Sequence, residues 1–157
     1  MYQSKTLEET YDCCVAEGNT LPLEDDSFSE QIARSLQIIE EDLLTGQDAA
    51  TKKRWTAAYK LYYNVLHQLV ESLLLLDKVK TKSDLCLFSY LCCKHPELEL
   101  DWDFFERVRA KRNSIEDSAT IVSERDWKDV ELQFKLYISS LKREMQEKVS
   151  KLPRNVY

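Results

Sequence analysis

The sequence predicts an all-α protein, an up-and-down bundle of about five helices, on two main observations. Across 157 residues there are two glycines, Gly18 and Gly46, and three prolines, Pro22, Pro96 and Pro153. So few chain breakers suit long helices better than the many tight turns of a sheet protein. Apolar residues also recur at intervals of three and four along most of the chain, the period of a helix buried on one face. With 43% apolar and 32% charged residues, the length corresponds to one domain with a real core.

Residues 1–26 read as an acidic N-terminal arm, flexible or holding a short helix from Leu7 to Val15 ahead of Gly18. Leu21-Pro22-Leu23 followed by Glu24-Asp25-Asp26 reads as a linker. The bundle proper is expected over 27–150, with 151–157 as a C-terminal tail.

The first long helix is expected over 27–45. Ser27 and Glu30 form a capping box, Phe28, Ile32, Leu36, Ile39 and Leu43 form the stripe, and Gly46 supplies the stop. The longest helix follows over 48–77, with Trp55, Tyr59, Tyr62, Leu66, Leu69, Val70 and Leu73 facing inward. Its other side carries Lys53, Lys60, Asn64, His67 and Glu71 on one line. That line is either a solvated face or the wall of a cleft, in which Glu71 can hold His67 in one tautomer.

A helix over 83–95 ends where Pro96 disfavours helical backbone at the residue before it. Leu85, Phe88, Leu91 and Cys92 face inward, and His95 sits at a helix C-terminus, which favours its charged form. The next helix, over 101–115, opens at the Asp101 cap and carries Trp102, Phe105 and Val108 at helical spacing, and 114–122 breaks the chain. The last helix, over 123–149, starts with Ser123 and Asp126 and lines one face with Trp127, Val130, Phe134, Tyr137, Ile138, Leu141 and Met145. Trp55, Tyr59, Leu66, Phe88, Phe105, Val108, Phe134 and Leu141 are expected in the core.

Net charge -6 argues against a protein that coats nucleic acid by bulk charge. No apolar run approaches the ~18 residues of a membrane span, and no apolar signal core follows a basic start, so a cytoplasmic protein away from the membrane is expected. The five cysteines, Cys13, Cys14, Cys86, Cys92 and Cys93, are odd in number and lack framework spacing, and are expected to be buried, reduced thiols. Cys92 and His95 share a helical face without further ligands, so neither a metal nor a cofactor is expected. There is no glycine-rich phosphate loop and no Cys-x-x-Cys pair.

What stands out in this acidic chain is Arg107, Arg109, Lys111 and Arg112 within six residues, followed by Asn113. On helix rules alone they are surface cations in the favourable half of a helix. Arg112, however, lies one turn after Val108 and two after Phe105, at the edge of the apolar stripe, where packing holds a guanidinium in place.

Arg112-Asn113, late in a chain of long helices, resembles the Arg-Asn-x-x-x-His signature of HEPN domains. Tyr59-Lys60-Leu61-Tyr62-Tyr63-Asn64 and the segment from Cys86 to Asp103 also resemble archaeal HEPN-like proteins, and the resemblance covers roughly Trp55 to Val149. In that superfamily the Arg and His of two protomers meet across a helical dimer and cleave RNA. The resemblance therefore implies a homodimer and a ligand site at Arg109, Arg112 and Asn113, to which Lys60, Asn64, His67 and Glu71 add ligand-binding groups where their line faces the dimer cleft and not solvent. It implies a nucleotide or RNA ligand, or a nucleotidyltransferase-type protein partner as in toxin–antitoxin pairs.

RNA cleavage needs a base near the ribose 2′-hydroxyl and a cation near the phosphate. Arg112 suits the second task, because its fork matches phosphate. The motif His is replaced by Asp117, a weak base with an unperturbed pKa of about 3.9 that cationic neighbours lower further. Ribonuclease activity is therefore expected to be degenerate or absent. The alternatives are an active metal-independent endoribonuclease using Arg112 and Asp117 as its catalytic pair, and a scaffolding bundle whose cationic helix is plain surface.

Overall fold

A computed structural model of the chain describes residues 5–24 and 28–152. Its elements are α1 (Leu7–Ala16), β1 (Thr20–Pro22), α2 (Ser29–Thr51), α3 (Trp55–Leu76), β2 (Val79–Thr81), α4 (Asp84–Lys94), a 3-10 turn (Pro96–Leu98), α5 (Trp102–Ser118) and α6 (Glu124–Ser150). The expected all-α helical bundle is what forms. Among the described residues no helix is long and apolar enough to cross a membrane. The expected Ser27 cap, the Asp25-Asp26 end of the linker and positions 153–157 of the tail lie outside the described residues.

α3 is the central rod. Tyr59, Tyr62, Tyr63, Val65, Leu66, Leu69, Val70, Leu73 and Leu74 are buried, so it is apolar on nearly every side, as a helix with neighbours all round must be. α2 packs antiparallel along it, α6 covers a second side, and α4 and α5 cover a third. Rings lock these layers edge to face. Tyr62 meets Trp127 at 5.0 Å, Tyr59 meets Phe134 at 5.6 Å, and Phe104 meets Phe134 at 5.3 Å. All the expected core residues are buried except Trp55. Trp55 opens α3 and stays half-buried, with the Lys128 ammonium 6.0 Å from its ring.

Gly46 is not a stop. α2 runs through it to Thr51, and the bend comes at 52–54, where Lys53 takes φ 60. A Cβ at Gly46 would sit 3.1 Å from the Tyr62 ring and 3.3 Å from Leu61 Cβ. Glycine is there so that α2 and α3 can approach closely.

α5 also outruns its expected end. Ile115 still packs on the core, and the helix closes only at Ala119, whose backbone at φ 53 sends its N–H to Ser114 O. The Val122 N–H then donates to Thr56 Oγ1 at 3.0 Å, pinning the following loop to α3.

The N-terminal part is docked. α1 carries a full Thr6/Glu9 capping box, and β1 pairs antiparallel with β2 in the register Thr20↔Thr81, Leu21↔Lys80, Pro22↔Val79. The short helix expected from Leu7 to Val15 is therefore formed as α1, and the two-stranded ribbon is the addition to the expected elements. Cys14 and Cys86 form a disulfide between α1 and α4, which corrects the expectation of reduced thiols throughout. The two sulfurs are 72 residues apart in sequence and meet because α1 lies on α4. Cys13, Cys92 and Cys93 are free, and burial pushes the Cys92 thiol up to about 12, so it is inert.

Gly46→Leu tests the close α2–α3 approach. Overpacking against Tyr62 should lower stability in urea unfolding by about 1–3 kcal/mol. A variant as stable as the parent would mean that the two helices are not tightly apposed there.

Candidate functional site

The polar line of α3 meets α5 and α4 of the same chain along part of its length. Lys60 Nζ lies 3.4 Å from Glu116 Oε1 on α5, and His67 Nε2 lies 2.8 Å from Asp84 Oδ1 at the start of α4. Asn64 is half-buried between them. Glu71 is exposed, yet its Oε1 sits 3.1 Å from His67 Nδ1. Lys53 alone falls off the line, because it belongs to the bend before α3.

Asp84 is placed by its own local sequence. β2 brings the chain back to Ser83, whose hydroxyl caps α4 by accepting from Cys86 N, and an acid at the first helical position is favoured by the helix dipole. Both carboxylate oxygens are then used. Oδ1 faces His67, and Oδ2 accepts from the Tyr63 hydroxyl at 2.6 Å. The His67 hydrogen bond, with that of Tyr63 and the Arg112 charge, outweighs burial and holds the Asp84 carboxyl down at about 2. Burial works to lower the His67 pKa, but the Asp84 hydrogen bond and the charges of Asp84 and Glu71 leave it raised. Burial first, then the Asp84 contact, pushes the Tyr63 phenol well up, so it stays a donor.

Arg112 completes the cluster from α5. Its guanidinium carbon stands 5.6 Å from the Tyr63 ring centroid, and its charge is felt at Tyr63, His67 and Asp84. Its Nε is buried with no acceptor among the described residues. Arg109, one turn earlier, is occupied by Glu106 at 3.1 Å, and Asn113 is half-buried one step round the helix. Arg107 and Lys111 lie on another side of α5. Arg107 stacks over Phe104 at 5.8 Å, and Lys111 pairs with Asp126 of α6 at 3.0 Å. The run of four cations is thus divided between two faces.

Asp117 is exposed. Five residues of α-helix turn through about 500°, which leaves it about 140° round α5 from Arg112. The acid beside Arg112 is Asp84, and the imidazole there is His67. Neither Asp84 nor Tyr63 stood out in the sequence as a site residue. Tyr63 was legible as the residue one turn before His67 on the same face. Asp84 reaches the cluster only through the packing of α4 on α3.

His95 is the second imidazole, and it shows what a purely structural version looks like. Only 6% exposed, it puts Nε2 2.6 Å from Asp77 Oδ2 and Nδ1 3.1 Å from Glu97 Oε1. Tyr90 and Lys148 also donate to Asp77, at 3.2 and 3.4 Å. The Asp77 hydrogen bond raises the His95 pKa against burial, so its expected C-terminal role is joined to a clasp between the ends of α3, α4 and α6. Every polar group there is satisfied, whereas the His67 cluster has an unpaired donor beside it.

Chemically, the cluster sets His67, whose charged form Asp84 and Glu71 favour, beside Arg112, whose Nε–H has no partner among the described residues. An imidazolium engaged at both nitrogens has no lone pair with which to take a proton. The arrangement suits holding an anion better than removing a proton. Among the described residues no group of three or more His, Cys, Asp or Glu is placed to bind a metal ion.

The His67–Asp84 contact should be measurable as a coupling in a double-mutant cycle of His67→Ala and Asp84→Asn, worth about 1.5–3 kcal/mol as a charged hydrogen bond. The folded pKa of Asp84 lies below its unfolded value, so its share is present above roughly pH 4 and is lost as pH falls towards 2. The folded pKa of His67 lies above its unfolded value, so its share is full below roughly pH 6.5 and is lost as pH rises through the raised folded value. The coupling should therefore be largest between these limits and shrink on both sides. A pH-independent coupling would contradict the pairing.

Comparisons of the chain with protein-family models, with curated proteins and with solved structures each found no match.

Proposed function

We propose that the chain is a HEPN-like binding domain that holds a phosphate-bearing ligand, a nucleotide or an RNA backbone, at Arg112, with ribonuclease chemistry degenerate or absent. The observation that carries this reading is the buried, unpaired Nε of Arg112 beside Tyr63, His67 and Asp84. A buried N–H without a partner costs about 1–3 kcal/mol, so a local rearrangement that brings an acceptor such as a phosphate oxygen to Arg112 is favoured, with a charge-assisted bond in return. The raised pKa of His67 favours a second positive charge one side chain away.

Two features weigh against cleavage. Asp117 lies round α5 from Arg112, and the ring nitrogens of His67 both face carboxylates. The overall charge of -6 favours a local contact over electrostatic coating of a long polyanion. The resemblance at Arg112-Asn113 adds a homodimer with α5 near its axis and a nucleotidyltransferase-type protein partner. The Cys14–Cys86 disulfide weighs against a cytoplasmic location, because cytosolic reductants usually keep such pairs open.

Arg112→Ala should weaken binding of a nucleotide or short RNA by about 1.5–3 kcal/mol, or roughly 10- to 150-fold. Arg112→Lys should recover only part of this, since the fork is lost. Titration calorimetry reads the affinities, and a cleavage assay in EDTA reads the chemistry. Brisk RNA cleavage by the parent chain would overturn the degenerate-site reading. Indifference of every nucleotide and RNA to Arg112→Ala would leave a scaffold with a basic helix.

A further inference from the structure

Arg107 and Lys111, the cations of α5 turned away from Arg112, face a groove of their own. α5 and α6 both rest on α3. They meet each other at one level through Phe104 and Phe134, and at another through Lys111 and Asp126. The two helices therefore run antiparallel, and Arg107, between those levels on α5, falls opposite Asp129 and Val130 on α6. Between the levels lies a groove of about 390 Å³, with Tyr59 of α3 as its floor.

Three polar groups in this groove are unmet. Tyr59 is 2% exposed, and its hydroxyl has no hydrogen-bond partner among the described residues. A phenol sealed to that degree ordinarily has one. Burial raises the Tyr59 pKa, so it stays a donor, and the charges of Arg107 and Asp126 both reach it. Arg107 stacks on the Phe104 ring but forms no ion pair among the described residues, and Asp129 forms none either. Their neighbours Lys111 and Asp126, by contrast, satisfy each other at 3.0 Å.

The groove thus offers one open cation, one open carboxylate and a buried donor. A phosphate or an RNA backbone would meet Asp126 and Asp129 as well as Arg107. A ligand that carries both signs meets each group with its opposite. The guanidinium fork matches a carboxylate, the phenol donates to the same group, and Asp129 accepts from an ammonium. Val130 and Ala110 leave the remaining wall apolar. The volume lies in the range of small-molecule sites.

We infer that this groove binds a free amino acid with an aliphatic side chain, its carboxylate held by Arg107 and Tyr59 and its ammonium by Asp129. The inference is independent of the reading of Arg112, which lies about 140° round α5 from Arg107.

The test is calorimetric titration of the full chain with L-leucine, isocaproate and isoamylamine. Isocaproate lacks the amino group of leucine, and isoamylamine lacks its carboxylate. Leucine should bind more tightly than either by about tenfold or more. Arg107 and Asp129 are exposed, so Arg107→Ala and Asp129→Asn leave the core intact. Each should weaken leucine by about tenfold or more, whereas Arg112→Ala should not change it. Tyr59→Phe keeps the ring in the core and removes only the hydroxyl. It should weaken leucine without lowering the urea midpoint of the empty protein, because a donor with no partner adds nothing to stability. If isocaproate binds as well as leucine, the groove is a plain carboxylate site and the amino-acid reading is overturned. Leucine binding that ignores both Arg107→Ala and Asp129→Asn, or that responds to Arg112→Ala, lies elsewhere and overturns the site. Absence of leucine binding to the parent chain overturns it as well.

Discussion

Helix α3 is buried over most of its surface, and each polar group it carries towards a neighbour must be met there. This constraint shapes the rest. Tyr63 is 1% exposed, so its hydroxyl needs an acceptor, and Asp84 supplies one at 2.6 Å. His67, one turn on, takes the other oxygen of the same carboxylate. One aspartate at the first turn of α4 therefore satisfies two groups on α3 and sets where α4 docks. α5 then brings Arg112 against the same spot, where the ring of Tyr63 receives its guanidinium. The cluster follows from burying a helix that carries Tyr, His and Glu at steps of four.

The same logic operates at the other end of α3, and the comparison separates architecture from site. Asp77 gathers His95, Tyr90 and Lys148 where three helices finish, and His95 finds a second carboxylate in Glu97. Acceptors and donors are matched and the imidazole is almost sealed, so that cluster has nothing left to offer a ligand. Around His67 the balance differs by one group, the Arg112 Nε.

Helix caps were legible because they are local. Ser83, Asp101 and Ser123 each accept from a backbone N–H two or three residues on, as their spacing to the first apolar residue implied. Gly46 misled because a glycine near the end of an apolar stripe looks like a stop, and only the ring of Tyr62 on the next helix shows its purpose. The pairing of Cys14 with Cys86 and the meeting of Asp84 with Tyr63 and His67 join separate helices, so no local pattern announces them. The division of the cations into Arg109/Arg112 and Arg107/Lys111 was present in the helical angles. Which of the two faces meets polar neighbours on α3 required knowing how α5 packs.

The central claim is that Asp84 favours the charged form of His67 beside Arg112. Following the two imidazoles by NMR across pH, in the parent chain and in Asp84→Asn, addresses it directly. The account predicts that His67 titrates above the ordinary value of about 6.5 in the parent. In Asp84→Asn it should move down, because burial then meets weaker opposition, while His95, held by Asp77, keeps its own titration. A His67 that titrates at or below the ordinary value in the parent, or that does not respond to Asp84→Asn, would contradict the account.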